Sequence, residues 1–252
     1  MILLLLFLPL LQAMLQQPDA DDIIGKSREL TLTRSMSASI SLVITEKNGS
    51  IRRRSISMLS KSYPDGSEKR LVRFLEPPDV RGTSMLIVDN ENTDDEMWIY
   101  LPALKRTRRI VSSDKGKSYM SSEFTNADMS SPPPSDFTNR HLSNSGENKL
   151  WVIESTPVNE EKSDEYGYSR KVSFIASDSW QVRKMEFYDF DNKLFKTIEI
   201  KAVQPGSDGK YVIKDMVATN FSNGRSSEIS MENVSFDTAI DDASFTVRNL
   251  ER

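Results

Sequence analysis

At 252 residues with 37% hydrophobic content, the chain is long enough for one or two globular domains. Its net charge of -4 and isoelectric point near 5.3 argue against a nucleic-acid partner, which would need a basic footprint. With no cysteine, disulfides, thiolate catalysis, iron–sulfur clusters and lipidation at a leading cysteine are excluded, and the one histidine, His141, gives little basis for a His-rich metal site or a Ser/His pair.

Residues 2–11 form an almost unbroken apolar run followed by small and polar residues. Its length suits a secretory signal and falls short of the roughly 20 residues a spanning helix needs. Residues 1–17 are therefore expected to be a signal peptide, and residues 18–252 a single domain. Residues 19–30 read as a short helix with Asp19 or Asp21 as cap and acidic residues in the first turn.

From Ser35 the period changes to two. Met36, Ala38, Ile40, Leu42 and Ile44 share one face, and Asn48-Gly49 supplies a hairpin turn into residues 51–60. A strand over residues 69–75 ends at Pro77-Pro78, because proline cannot donate to a ladder. Residues 84–89 form a short buried strand. In the next, Met97, Ile99 and Leu101 alternate with Trp98 and Tyr100, so both faces are apolar and both need a cover. Residues 105–111 read as a basic strand. Residues 121–129 fit two turns of helix with Phe124 and Met129 as apolar contacts, and Pro132-Pro133-Pro134 ends them.

Beyond this point strand signals dominate. They cover residues 149–155, 166–175, 181–190, 193–203, 211–221 and 226–236, with residues 159–165 read as a charged loop. Residues 241–245 look like a last helical turn. About a dozen strands with hairpin turns and no βαβ spacing predict a mainly β (α+β) protein, built on a large curled antiparallel sheet or barrel.

Four ordered pieces carry a resemblance. They are Arg73-Phe74 with Pro77-Pro78 and Gly82-Thr83, then Met97-Trp98-Ile99-Tyr100-Leu101-Pro102, then Arg108-Arg109-Ile110, then Ser122-Glu123-Phe124 with Asp128-Met129. Together they resemble the outer-membrane lipoprotein-sorting proteins, relatives of the lipoprotein carrier LolA. Trp151, Glu154, Pro157 and Lys193-Leu194-Phe195-Lys196 fit later positions. The family usually reads Gly-Ser-Asp-Phe before an aromatic-containing turn, and this chain departs from that at Ser121-Ser122-Glu123-Phe124-Thr125-Asn126.

The resemblance implies an exported, periplasmic protein with an incomplete β-barrel whose concave apolar face is covered by short helices. It implies non-catalytic binding of a lipid, an acyl chain or a lipidated protein, with no cofactor and with a membrane exporter as partner. The competing reading is a sensor or adaptor that uses the same half-barrel to touch a membrane protein. A monomer is expected.

Candidate cavity-wall residues are Ile40, Leu42, Phe74, Met85, Ile87, Trp98 and Tyr100, which serve equally as an ordinary packed core. Phe124 and Met129 are the candidate lid. Arg106, Arg108 and Arg109 form either a solvated strand face or a docking patch for anionic headgroups or an acidic partner. Strand alternation separates Arg109 from Arg106 and Arg108. Asp189-Phe190-Asp191-Asn192 lacks the central glycine and closing glutamate of a calcium loop and reads as a hairpin turn. No G-x-S-x-G, P-loop or G-x-G-x-x-G occurs.

Overall fold

The period-two pattern from Ser35 sets the architecture of the computed structural model, which describes residues 17–91, 93–143 and 149–251. The expected signal run at residues 2–11 lies outside the described residues. Helix α1 (Ala20–Glu29) comes first, and the Asp19 carboxylate accepts from the Asp21 amide at its start. Six strands follow: β1 (Ser35–Thr45), β2 (Ile51–Ser62), β3 (Glu68–Glu76), β4 (Ser84–Asp89), β5 (Glu96–Leu101) and β6 (Arg106–Ile110). A long connection then carries α2 (Ser112–Lys115) and three 3-10 turns, Tyr119–Ser121, Ala127–Met129 and Pro134–Asp136. The chain continues through β7 (Phe137–Ser143), β8 (Leu150–Pro157), α3 (Glu160–Tyr166) and β9 (Arg170–Ala176). It ends with β10 (Val182–Tyr188), β11 (Leu194–Pro205), β12 (Tyr211–Asn220), β13 (Arg225–Phe236) and two more 3-10 turns, Asp242–Phe245 and Val247–Glu251.

All thirteen strands join one antiparallel sheet in the order β6-β5-β4-β3-β2-β1-β13-β12-β11-β10-β9-β8-β7. Strands β1 and β13 pair from Met36↔Phe236 to Thr45↔Ser226, which brings the two halves of the chain together. The ends of the order, β6 and β7, do not pair with each other, so the sheet is curled but not closed. The mainly β, incomplete-barrel expectation holds.

Alternation divides the side chains between two faces. The main core lies on the concave face, where Ile40, Leu42, Ile56, Phe74, Met85, Ile99, Phe187, Ile198 and Ile229 belong to one buried cluster. α1 covers one end of the same face, packing Ala20 and Ile23 against Ile153 and Ile175. On the convex side of β3–β5, Leu71 and Leu86 pack under Phe245 and Leu250 of the C-terminal turns. The Ser84 hydroxyl and the Arg73 guanidinium donate to the Leu250 and Asn249 carbonyls and clip that tail in place. β5 is therefore covered twice, as its composition required. Gly82 adopts φ +79° and returns its amide to the Phe74 carbonyl at 2.9 Å, a left-handed turn that a side chain would strain.

Three expectations change. Residues 121–129 do not form a helix: a Ser118↔Thr125 bridge folds the chain back, with one 3-10 turn inside the bridged loop and another after it. The Thr125 amide donates to Asp128 Oδ2 and the Asp128 amide to Thr125 Oγ1, so side chains take the backbone groups a helix would use. Residues 159–165, read as a loop, begin α3, where Asn159 accepts from the Lys162 amide and Gly167 (φ +78°) ends the helix. β7 carried too few apolar residues to be recognised as a strand.

The C-terminal clip should be a large contributor to stability. Phe245→Ala is expected to cost about 3–5 kcal/mol in urea unfolding, the range for emptying a buried aromatic site. A loss under 1 kcal/mol would mean that the tail packs without holding the sheet.

Candidate functional site

The connection between β6 and β7 crosses the concave face and closes it imperfectly. Tyr119, Phe124, Ala127 and Met129 point into the hollow, and a cavity of about 330 Å³ remains between them and the sheet. Met36, Ile40, Ile56, Met58, Val72 and Ile87 form one wall, and Met185, Phe187, Ile198, Met216, Ile229 and Met231 form the other. Six of the eleven methionines of the chain line this space. Five of these methionines converge because each has the inward parity of its strand, and the sixth, Met129, comes from the crossing segment. Flexible thioethers suit a wall that has to fit apolar guests of varied shape.

Polar contacts hold the crossing segment down. Its tip is clamped through Glu123, whose carboxylate accepts from Asn220 at 2.8 Å and Asn223 at 3.0 Å and pairs with Arg225 at 2.8 Å. The Glu123 amide donates to the Ser227 hydroxyl at 2.9 Å, and the buried Arg54 donates to the Met120 carbonyl. Met120 (φ 49°) and Ser121 (φ 64°) are both left-handed, so the tip is strained as well as clamped. Further along, Asp128 meets Lys196 at 2.6 Å with both side chains buried, and the Lys196 ammonium lies 4.2 Å from the Phe187 ring centroid. The Ser131 amide donates to Asp89.

Two charged groups of residues border the cavity. At one end Arg70 pairs with Asp89 and lies 3.5 Å from Glu68, which accepts from the Ser60 hydroxyl. Burial opposes the Arg70 charge, but Asp89 and Glu68 hold its pKa above the usual range. Burial pushes Glu68 up. Behind them Asp95 is raised to about 7 by burial and by Asp89, with one oxygen unpartnered among the described residues. The second group is Lys171 and Asp128, with Lys196 bonded to Asp128 just outside the lining. Lys171 lines the cavity half-buried, and burial lowers its pKa.

The predicted cavity residues separate by position. Ile40 and Ile87 line the cavity, as do the lid residues Phe124 and Met129. Leu42, Phe74 and Met85 belong to the same concave core without bordering it. Trp98 and Tyr100 lie elsewhere: Met97 and Ile99 take the concave side of β5, so these two face outward and pack in the Leu71, Leu86, Phe245 and Leu250 cluster. Their placement in the cavity wall is corrected by strand parity.

Arg106, Arg108 and Arg109 lie on the end strand β6, with Arg108 opposite Ile99 and Arg109 opposite Trp98. Arg108 pairs with Asp114 at 3.1 Å, whereas Arg109 reaches Glu96 at 3.6 Å and lies over the Trp98 ring. They do not form one patch. Lys171, Lys196, Asp128 and Tyr168 were not singled out as site residues. The parity of Lys196 with Ile198 and Ile200 was the available signal. A lysine sharing an inward parity has to be either neutralised or used.

Residues 66–252 match a family model described as "Uncharacterized protein". The fold superposes on an outer-membrane lipoprotein-sorting protein domain from Vibrio parahaemolyticus with a TM-score of 0.84 and 26% identity, covering 92% of this chain and 98% of that one. The chain belongs to the family of that model, and its fold is that of the lipoprotein-sorting domain. A DUF1329 family protein from Desulfovibrio piger matches equally well, with a TM-score of 0.82, 26% identity, and coverage of 92% and 97%. A LolA superfamily protein from Nitrosomonas europaea, 17% identical, shares the fold with a TM-score of 0.70 over 91% of this chain and 98% of that one. No functionally curated protein matches the sequence. Among the described residues, no helix of this chain is long and apolar enough to cross a membrane, and no acidic or histidine cluster could hold a metal ion.

Two outcomes follow from the buried charges. Lys196→Met leaves Asp128 buried without its cation and should cost about 3–5 kcal/mol, while adding Asp128→Asn should restore most of the loss. A double variant no better than the single one would show that the pair does not hold the segment. For Asp95, the native carboxyl binds its proton up to about pH 7, against 3.8 for its ordinary value, so its contribution to stability falls as pH rises from about 4 through 7. Asp95→Asn should therefore gain about 1–3 kcal/mol at pH 8 and little at pH 4, as urea unfolding at the two pH values will report. Equal effects at both would place the charge elsewhere.

Proposed function

We propose that this protein is a periplasmic, non-catalytic carrier that holds an acyl chain of a lipid or lipoprotein in the cavity beneath the β6–β7 segment. The observation that carries the reading is the methionine-lined cavity of about 330 Å³ under a segment held by separable polar contacts. At about 30 Å³ per water-sized group, the space takes roughly ten methylenes. Each buried methylene contributes about 0.8 kcal/mol. In the closed arrangement one chain fits, and a multiply acylated guest requires the segment to lift.

Export of the chain and a membrane exporter as the source or recipient of the guest belong to the same proposal. Both rest on the apolar N-terminal run and on the likeness to the lipoprotein-sorting domain. A carrier of this kind makes and breaks no covalent bond. Its work is to shield the guest from water and to release it.

Delipidated protein titrated with a fluorescent acyl probe should bind it with one-to-one stoichiometry, and decanoic acid should displace the probe. Met216→Trp, which fills the cavity from β12, should weaken probe binding at least tenfold while leaving the far-UV circular dichroism unchanged. Absence of saturable binding for probes of several chain lengths would remove the carrier reading.

A further inference from the structure

The cavity wall carries more positive than negative charge at one place. Strands β9, β10 and β11 align Lys171, Phe187 and Lys196 in a single cross-strand row on the concave face. One carboxylate, Asp128 from the crossing segment, serves this row and is committed to Lys196 at 2.6 Å. Lys171 has no ion pair or hydrogen bond among the described residues; its ammonium has only the Phe137 ring, 5.3 Å away. Tyr168, also on the cavity wall and edge-on to Phe187 at 5.3 Å, has a hydroxyl with no hydrogen-bond partner among the described residues.

A cation facing an apolar space without an anion is costly, because nothing compensates its lost hydration. Other shielded cations have a carboxylate in contact: Lys115 of α2 pairs with Glu165 at 2.6 Å, Lys162 of α3 with Asp136 and Glu165 at 3.0 Å, and Arg70 of β3 with Asp89. Lys171 differs: among the described residues no carboxylate touches it, Asp128 acts on it only from a distance while bonded to Lys196, and it lines the cavity that the carrier reading fills with an acyl chain.

We infer that the cavity selects guests with an anionic head, and that Lys171, on the same cavity lining as Tyr168, receives the carboxylate of a single-chain fatty acid while the alkyl chain lies along the methionine wall. The inference rests on the carrier reading and adds the chemistry of the head. Phe187 keeps the two lysines apart in the row, so the guest's carboxylate neutralises Lys171 without displacing Asp128 from Lys196. Binding of a fatty acid therefore does not require the segment to be released.

The test holds the chain constant and changes the head. Wild-type protein is titrated by calorimetry with decanoate, decanol and decyl phosphate at pH 7.5. Decanoate should bind about tenfold or more tightly than decanol, the range for a hydrogen bond to a charged group. Lys171→Met should reduce that ratio to near one while keeping decanol affinity, and Lys193→Met, on an exposed hairpin turn, should leave the ratio unchanged.

Equal affinity for decanoate and decanol in the wild type would overturn the inference and leave the carrier reading standing. No binding of any of the three would overturn the carrier reading itself. Decyl phosphate binding more tightly than decanoate would assign the site to a phosphate head instead of the fatty-acid carboxylate. The wild-type ratio decides the matter even if the Lys171 variant fails to fold.

Discussion

A backbone that crosses the inside of a half-barrel has to satisfy its own polar groups there, and much else in this molecule depends on how it does so. The β6–β7 segment cannot use a long helix, because serine, threonine, asparagine and aspartate side chains offer its amides competing partners. The sheet provides the remaining partners. Glu123 and its amide go to the β12–β13 hairpin, Asp128 goes to β11, and the Ser131 amide goes to the end of β4. Each is an inward-facing polar group on a strand whose other inward residues are apolar. Lys196, Asp89 and Ser227 therefore hold a strap in place. Without it they would be isolated buried polar groups.

This wiring makes the segment separable in a way that a packed helix would not be. Its attachments are a few polar clusters joined by turns, with two left-handed residues at the tip. Segments of this kind occupy the low-stability end of a fold, where local opening is easiest. The buried aromatic contacts of Tyr119 and Phe124 oppose opening. The balance lets the cavity be closed at rest and still be opened by a guest that binds the open form better.

The sheet was legible in the sequence because alternation is a local signal. Nearly every strand could be read from Met36 onward, and the two-faced burial of β5 followed from Met97 to Leu101 alone. Family likeness added the closure of the concave face by the segment. What could not be read was parity across strands. Trp98 and Tyr100 are apolar like Ile99, and only the register with β4, together with the C-terminal turns, decides which of them face inward. The five converging strand methionines and the Lys171–Phe187–Lys196 row are likewise products of register, which no single strand encodes. The crossing segment was misread for another reason: its apolar spacing fits a helix, and its side-chain hydrogen bonds prevent one.

Magnitudes show why the charges on the wall matter to a carrier. A cavity that takes roughly ten methylenes offers about 8 kcal/mol of gross burial. Association and ordering of a flexible chain take back about 4–15 kcal/mol, so the alkyl chain alone leaves little net affinity. Further affinity has to come from a polar contact or from a larger cavity made by lifting the segment. The two routes have different consequences. A head-group contact leaves Asp128 on Lys196 and gives a closed complex with one chain. Lifting the segment takes Asp128 from Lys196, so a second lysine without an anion joins Lys171 and Asp128 is left with no cation. An open complex is therefore favourable only for a guest whose apolar volume and negative charge compensate both lysines, which is a more demanding requirement than the closed one.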